Sequence, residues 1–264
     1  LSTDHTPPEI EIPAGPDWPV GYGRRILAQV DSTNAEAARI APEISGPEWI
    51  LAKSQSSARG RRGRAWSMPA GNFAATLVMR PTESPDQVAL RSFIAAVALD
   101  EAFCAATGRS DLFALKWPND VLLKGGKVAG ILLESAGAAG GTVSHIAIGI
   151  GINLAEAPNT GQVEEGAVRP VSLAAETGTR ITPEAFLTLL AASYARFEQR
   201  FRDYGFEPIR RAWLARAARL GEEITARTMR HEQKGRFETV DAAGNLVLST
   251  DTGRHTIAAA EVFF

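Results

Sequence analysis

An α+β fold is predicted for this chain by three observations: strand-forming segments that follow one another through short turns, two long amphipathic helical segments, and a closing stretch of short strands with its own turns. Strands in that order pair into a mixed or antiparallel central sheet with helices packed on it. At 264 residues the chain has room for one large domain and a small appendage. The expected division is an N-terminal arm over 1–23, a main domain over 24–220 and a small C-terminal β-barrel domain over 221–264.

The arm carries five prolines and no periodicity. Residues 24–30 predict a strand, and Asp31, Ser32, Thr33 and Asn34 offer N-cap oxygens to a short helix over 35–41. A second strand is expected over 49–54. Residues 56–68 are too rich in Gly, Arg and Ser to bury a face and read as a loop, followed by a strand over 72–80. Apolar residues recur at helical spacing through 87–107 and stop at Gly108, which predicts one helix, the longest of the domain. Strands follow over 113–117, 120–123 and 128–134, the last two joined by Lys124-Gly125-Gly126, and then over 144–154. Residues 157–170 read as an irregular loop. Thr182 and Pro183 open an amphipathic helix over 183–204, and a further helix is expected over 208–217. Short strands over 223–229, 235–240, 246–249 and 255–259 complete the chain.

Hydrophobic residues make up 45% and charged residues 22%, ample for a packed core. A formal net charge of -2 argues against wholesale nucleic-acid binding, though a local basic patch can still hold phosphates. The single cysteine, Cys104, excludes a disulfide within the chain and reads as a small core residue. No apolar run approaches the roughly 20 residues that span a bilayer, and the polar N-terminus has no signal peptide, so a cytoplasmic enzyme is expected.

Arg59, Arg61, Arg62 and Arg64 are interleaved with Gly60 and Gly63 and followed by Trp66. Glycines let a backbone approach a ligand, and guanidinium forks grip carboxylates and phosphates, so an anionic ligand is indicated. An Arg/Gly segment touching RNA is the alternative, opposed by the net charge and by the lack of interleaved aromatics for base stacking. Lys116-Trp117-Pro118-Asn119-Asp120 lies across a glycine turn from Lys127 and Gly130, so Asp120 and Lys127 come from facing strands and can lie close together. Gly149-Ile150-Gly151-Ile152-Asn153 sets an amide after a narrow strand. It is neither a dinucleotide fingerprint nor a Gly-x-x-x-x-Gly-Lys-Ser/Thr phosphate loop.

In chain order, Ser32-Thr33-Asn34, Gln55 with the loop over 59–66, the motif over 116–120, Lys127 to Glu134 and the glycine strand over 149–153 resemble the motif series of the biotin–protein ligases. The resemblance is close over 24–154 and looser beyond. It implies a central sheet like that of class II aminoacyl-tRNA synthetases and an SH3-like C-terminal domain. It further implies that biotin and ATP form biotinyl-5'-AMP and pyrophosphate, and that biotin then passes to a lysine of a biotin carboxyl carrier protein.

Under that resemblance Ser32, Thr33, Asn34 and Gln55 line the biotin pocket, which backbone around Gly130 closes. Arg59 and Arg61 hold the biotin carboxylate and the phosphates, with Arg62, Arg64, Asn119 and Asn153 on the nucleotide, and Trp66 covers adenine. Lys127 and Arg61 stabilise the charge of adenylation, and Asp120 orients or deprotonates the acceptor lysine. Asn119, Asp120 and Asn153 are oxygen ligands suited to Mg²⁺ or to the triphosphate, Asp120 being the metal ligand. The arginine loop is expected to order with ligand.

Ala58 departs from the glycine often found there in the family, and roughly two dozen residues before the first strand leave no room for a repressor's helix-turn-helix domain. A monomer or homodimer without DNA or membrane partners is expected. A lipoate–protein ligase or octanoyltransferase, the nearest rival, carries an Arg-Arg-x-Ser-Gly-Gly-Gly signature that this sequence lacks.

Overall fold

The computed structural model of the chain describes residues 17–137, 143–158, 168–228 and 232–264. Most of the N-terminal arm, the middle of the expected 157–170 loop and Met229 of the 223–229 segment lie outside the described residues.

A seven-stranded mixed sheet forms the centre. Its strands are β1 Gly23–Leu27, β2 Glu48–Ala52, β3 Phe73–Met79, β4 Phe113–Lys116, β5 Asp120–Leu123, β6 Gly126–Gly137 and β7 Val143–Ile152. The spatial order is β1-β2-β3-β7-β6-β5-β4, with β1 and β2 parallel and the other neighbours antiparallel. Lys124 and Gly125 both have positive φ, 49° and 81°, which is the tight two-residue hairpin turn that matches strand twist between β5 and β6.

Helix α1 (Thr33–Ile40) starts two residues earlier than the sequence suggests, because Ser32 takes the extended N-cap conformation. The helical run expected as one piece is divided into α2 (Pro85–Ala89) and α3 (Arg91–Thr107). At the junction Leu90 N–H donates to Gln87 O (3.3 Å) and Phe93 N–H to Leu90 O (3.0 Å), so the ladder tightens to i→i−3 bonds there. A short α4 (Leu173–Thr177) precedes α5 (Pro183–Tyr204), which at 22 residues exceeds the 17 of α3 and takes its place as the longest helix. Helix α6 (Glu207–Leu214) leads to the C-terminal strands.

Those strands are β8 Glu223–Arg227, β9 Glu232–Val240, β10 Leu246–Thr250, β11 Gly253–Ile257 and β12 Glu261–Phe263, in one antiparallel sheet ordered β11-β10-β9-β8-β12. The sequence reading had no β12. This sheet docks where Trp117 Nε1 donates to Gly244 O (3.1 Å) and Trp213 meets Phe237 at 6.4 Å between ring centres. Cys104 is half-buried at the core's edge rather than inside it.

The central sheet uses its two faces differently. Phe73, Ala75 and Leu77 of β3 and Ile148, Ile150 and Ile152 of β7 join α3 and α5 in the main core. On the opposite face Ile50, Val78 and Ala147 pack under Ala37 and Ile40 of α1 and Ala41 at its C-cap. The alternation of isoleucine with glycine in β7 follows from this: large side chains fill the core, while Gly149 and Gly151 leave the other face low beside α1. That gap is the site.

Candidate active site

Strand register sets the chemistry in rows. Lys116 pairs with Asp120, Asp120 with Gly130, Gly130 with Gly151 and Gly151 with Ala74, a line across five strands. The next row on the same face joins Leu132, Gly149 and Thr76. Above these rows lies a cavity of about 710 Å³. Every site residue expected from the sequence lines it: Ser32, Thr33, Asn34 and Gln55 on one side; Arg59, Arg61, Arg62, Arg64 and Trp66 from the loop; Asn119, Asp120, Lys127, Gly130 and Asn153 on the other side.

Lys127 reaches this face because of a bulge. Three residues from Gly130, it would face the opposite side of a regular strand. The register shifts between Val121 and Leu122, which pair with Ala129 and Lys127, and the extra residue Val128 restores the parity. Lys127 Nζ then lies 2.7 Å from Asp120 Oδ1, outside the angular range of a directed hydrogen bond, and 5.6 Å from the centre of the Trp66 ring. Lys116 Nζ, 3.9 Å from the other carboxylate oxygen, is 7% exposed, and burial pulls its pKa below the usual lysine value. Asp120 therefore sits between two ammonium groups.

The end of the cavity beside α1 is neutral and tightly wired. Thr33 N–H donates to Gln55 Oε1 (2.8 Å), the Thr33 and Thr76 hydroxyls are 2.8 Å apart, and the Thr76 hydroxyl donates to Asn34 Oδ1 (2.7 Å). Asn34 Nδ2 donates to Glu134 (2.7 Å) and to Leu132 O (3.3 Å), so its amide ties α1 to the sheet. Ser32, at the N-cap, makes no side-chain cap bond. An ideal Cβ on Gly149 would stand 2.3 Å from Asn34 Oδ1, and one on Gly151 would stand 2.5 Å from the Trp66 indole, so β7 must present bare backbone at both positions.

The arginine loop is a hairpin in itself. Arg59 bridges Ala65, Gly60 N–H donates to Arg64 O (2.7 Å), and the tip is a 3-10 turn, Arg61–Gly63, in which Arg62 has φ 57°. Ala58 is not among the positive-φ positions, so its methyl carries no backbone strain. Each guanidinium meets an acceptor. Arg59 lies 3.3 Å from both Glu134 oxygens, and Arg61 donates to Asn119 Oδ1 (3.1 Å), its pKa lowered by burial. Arg62 and Arg64 both grip Glu261 of β12. Asn153 Nδ2 donates to Val171 O (3.0 Å), while its buried Oδ1 has no partner.

Residues 26–153 match the Biotin/lipoate A/B protein ligase family, and residues 220–264 match the Biotin protein ligase C terminal domain. The chain is 57% identical over 239 residues to the biotin--[acetyl-CoA-carboxylase] ligase of Paracoccus denitrificans, covering 90% of this chain and 99% of that protein. The chain belongs to the biotin protein ligases. The ligase is also 31% identical over 261 residues to the bifunctional ligase/repressor BirA of Bacillus subtilis, covering 96% of this chain and 78% of that protein. Its fold is shared with the biotin protein ligase of Aquifex aeolicus in complex with biotin and ATP (TM-score 0.74, 24% identity, 91% and 97% of the two chains).

Among the described residues, Thr76, Lys116, Glu134 and Glu261 are polar side chains in or beside the cavity that the sequence-based assignment does not include. Thr76 carried a signal, as the one hydroxyl in the otherwise apolar β3, where a buried polar group needs a partner. Lys116 and Glu134 lay within segments already singled out. Glu261 had no signal, being 197 residues from Arg64.

Proposed function

We propose that this ligase joins biotin to ATP as biotinyl-5'-AMP and then passes the biotinyl group to a lysine of a biotin carboxyl carrier domain. The observation that carries this reading is one cavity with two chemistries: a neutral hydrogen-bonding end at Ser32, Thr33 and Gln55, suited to a ureido ring, and a cationic end at Arg59, Arg61, Lys116 and Lys127. In the first step a carboxylate oxygen attacks the α-phosphorus, an acyl–phosphate bond forms, and pyrophosphate leaves with the electrons of the broken α–β bond. Fixed cations stabilise the negative charge that gathers there, which assigns Lys127 and Arg61 to that task. In the second step the neutral acceptor amine attacks the acyl carbon, the acyl–oxygen bond breaks with its electrons leaving on AMP, and the proton lost from nitrogen passes to solvent.

Asn34, whose amide is fully engaged, acts by fixing Thr33 and the start of α1. Trp66, on the glycine floor, suits the adenine face, with Arg62, Arg64, Asn119 and Asn153 along the nucleotide. The Asp120 carboxylate and the unpartnered Asn153 Oδ1 fit a Mg²⁺ ion carried in on the triphosphate. Among the described residues no cluster of three His, Cys, Asp or Glu builds a dedicated metal cage, consistent with an ion that keeps phosphate and water ligands. Its chemistry would be to neutralise charge on the departing pyrophosphate.

The same reading takes the main domain as class II synthetase-like over 24–220, the last sheet as SH3-like over 221–264, and the working environment as cytoplasmic. No helix among the described residues is long and apolar enough to cross a membrane. Biotin-dependent ATP–pyrophosphate exchange tests the function, and its absence from the purified chain would reject it.

Asp120, clasped by two lysines, is assigned to orienting Lys127 rather than to deprotonating the acceptor. Asp120→Asn is expected to slow adenylate formation about tenfold to a hundredfold, the scale of a misplaced reacting group. A defect confined to transfer from preformed biotinyl-5'-AMP would make it the base instead.

A further inference from the structure

The C-terminal sheet lines the cavity with Glu261, Val262 and Phe263, and its Glu261 carboxylate engages the arginine loop. Glu261 Oε2 accepts from Arg62 Nη1 (2.9 Å), while Oε1 and Oε2 accept from the two ends of the Arg64 fork (2.7 and 3.1 Å). A guanidinium fork engages carboxylate and phosphate oxygens in the same geometry, so this carboxylate occupies the grip that a phosphate would take. We propose that Glu261 is a resident counter-anion of the phosphate-binding arginines, holding Arg62 and Arg64 until triphosphate displaces it and retaking them as pyrophosphate leaves. The proposal rests on the reading of the arginine loop as the ATP site.

Three further observations support exchange over a permanent bond. The pairs are open to water, with side-chain exposures of 25% for Glu261, 45% for Arg62 and 39% for Arg64, so each is weak enough to be traded. Glu261 cannot follow the loop. Its strand β12 is pinned to β8, and the rings beyond it are covered by cations, Arg227 over Phe263 (4.5 Å) and Arg219 over Phe264 (5.2 Å). The hydrogen bond from Arg64 holds the Glu261 carboxyl below its usual range, so it remains the charged form near neutral pH. A triphosphate brings several negative charges where Glu261 brings one, and Coulomb attraction favours it.

Glu261 thus competes with ATP for these arginines, and Glu261→Gln in the full chain tests it. The KM for ATP in biotin-dependent pyrophosphate exchange should fall about three- to tenfold, the scale of one or two exposed ion pairs. The KM for biotin should not move. Trypsin should cut after Arg62 and Arg64 faster than in the wild type, with ATP restoring protection. A second neutral variant, Glu261→Ser, must show the same fall, and Glu261→Asp, which keeps the charge, must stay close to the wild type. An unchanged or raised KM for ATP in the neutral variants overturns the proposal, since a carboxylate that arranges the arginines for ATP would be missed, not displaced. Failure of the wild-type chain to catalyse exchange is a separate result and strikes the ATP reading itself.

Discussion

Replacement of Lys127 by alanine is expected to reduce biotin-dependent ATP–pyrophosphate exchange by about a hundredfold to a thousandfold, the usual effect of removing one preorganised charge-stabilising donor. The ammonium stands over the row Asp120–Gly130–Gly151, between a carboxylate and the Trp66 ring, so its position is fixed before any anion arrives. Its loss also releases Asp120 from its nearer ammonium and leaves Lys116 at 3.9 Å. Lys127→Arg should restore little of the rate: a planar fork does not fit where a point charge is gripped 2.7 Å from Asp120 Oδ1, beside the Gly130 backbone. The KM for biotin should change less than kcat, because the neutral end of the cavity keeps its wiring. Near-normal exchange by the alanine variant would remove Lys127 from the chemistry.

The residues that form the site were legible in the sequence because their types are costly anywhere else. Two glycines inside a strand, four arginines in a glycine-rich loop and a lysine beside a glycine turn each ask for an explanation, and the family order of the motifs tied them together. Their geometry was not legible. The line from Lys116 to Ala74 depends on pairings between strands far apart in the chain, and Lys127 joins its face only through the Val128 bulge, which simple alternation puts on the wrong side. Local pattern also failed where tertiary contact decides. Strand β12 is three residues long, too short for alternation to register, and it forms because β8 offers an edge. It carries Glu261, so the contribution of the last sheet to the site was hidden with it.

The strictest packing constraint in the site lies under α1, and Gly149→Ala tests it. The added methyl would stand 2.3 Å from Asn34 Oδ1 and 2.9 Å from its Cγ. Asn34 has nowhere to go, as Thr76 holds its oxygen at 2.7 Å while Glu134 and Leu132 hold its nitrogen at 2.7 and 3.3 Å. Either the strand or the start of α1 must shift. The combined overpacking and loss of buried hydrogen bonds should destabilise the fold by about 2–4 kcal/mol. Because Thr33 and Ser32 sit on the same turn, the KM for biotin should rise by about tenfold or more, with the KM for ATP less affected. Gly137→Ala, where an added Cβ meets nothing within 4 Å, is the matched control and should melt near the wild type. A double-mutant cycle isolates the contact: in an Asn34→Ala background the Gly149→Ala change should cost far less than it does alone, since the atoms it strikes are gone. Equal costs in both backgrounds would place the strain elsewhere in β7 and detach Gly149 from the proposed biotin end of the cavity.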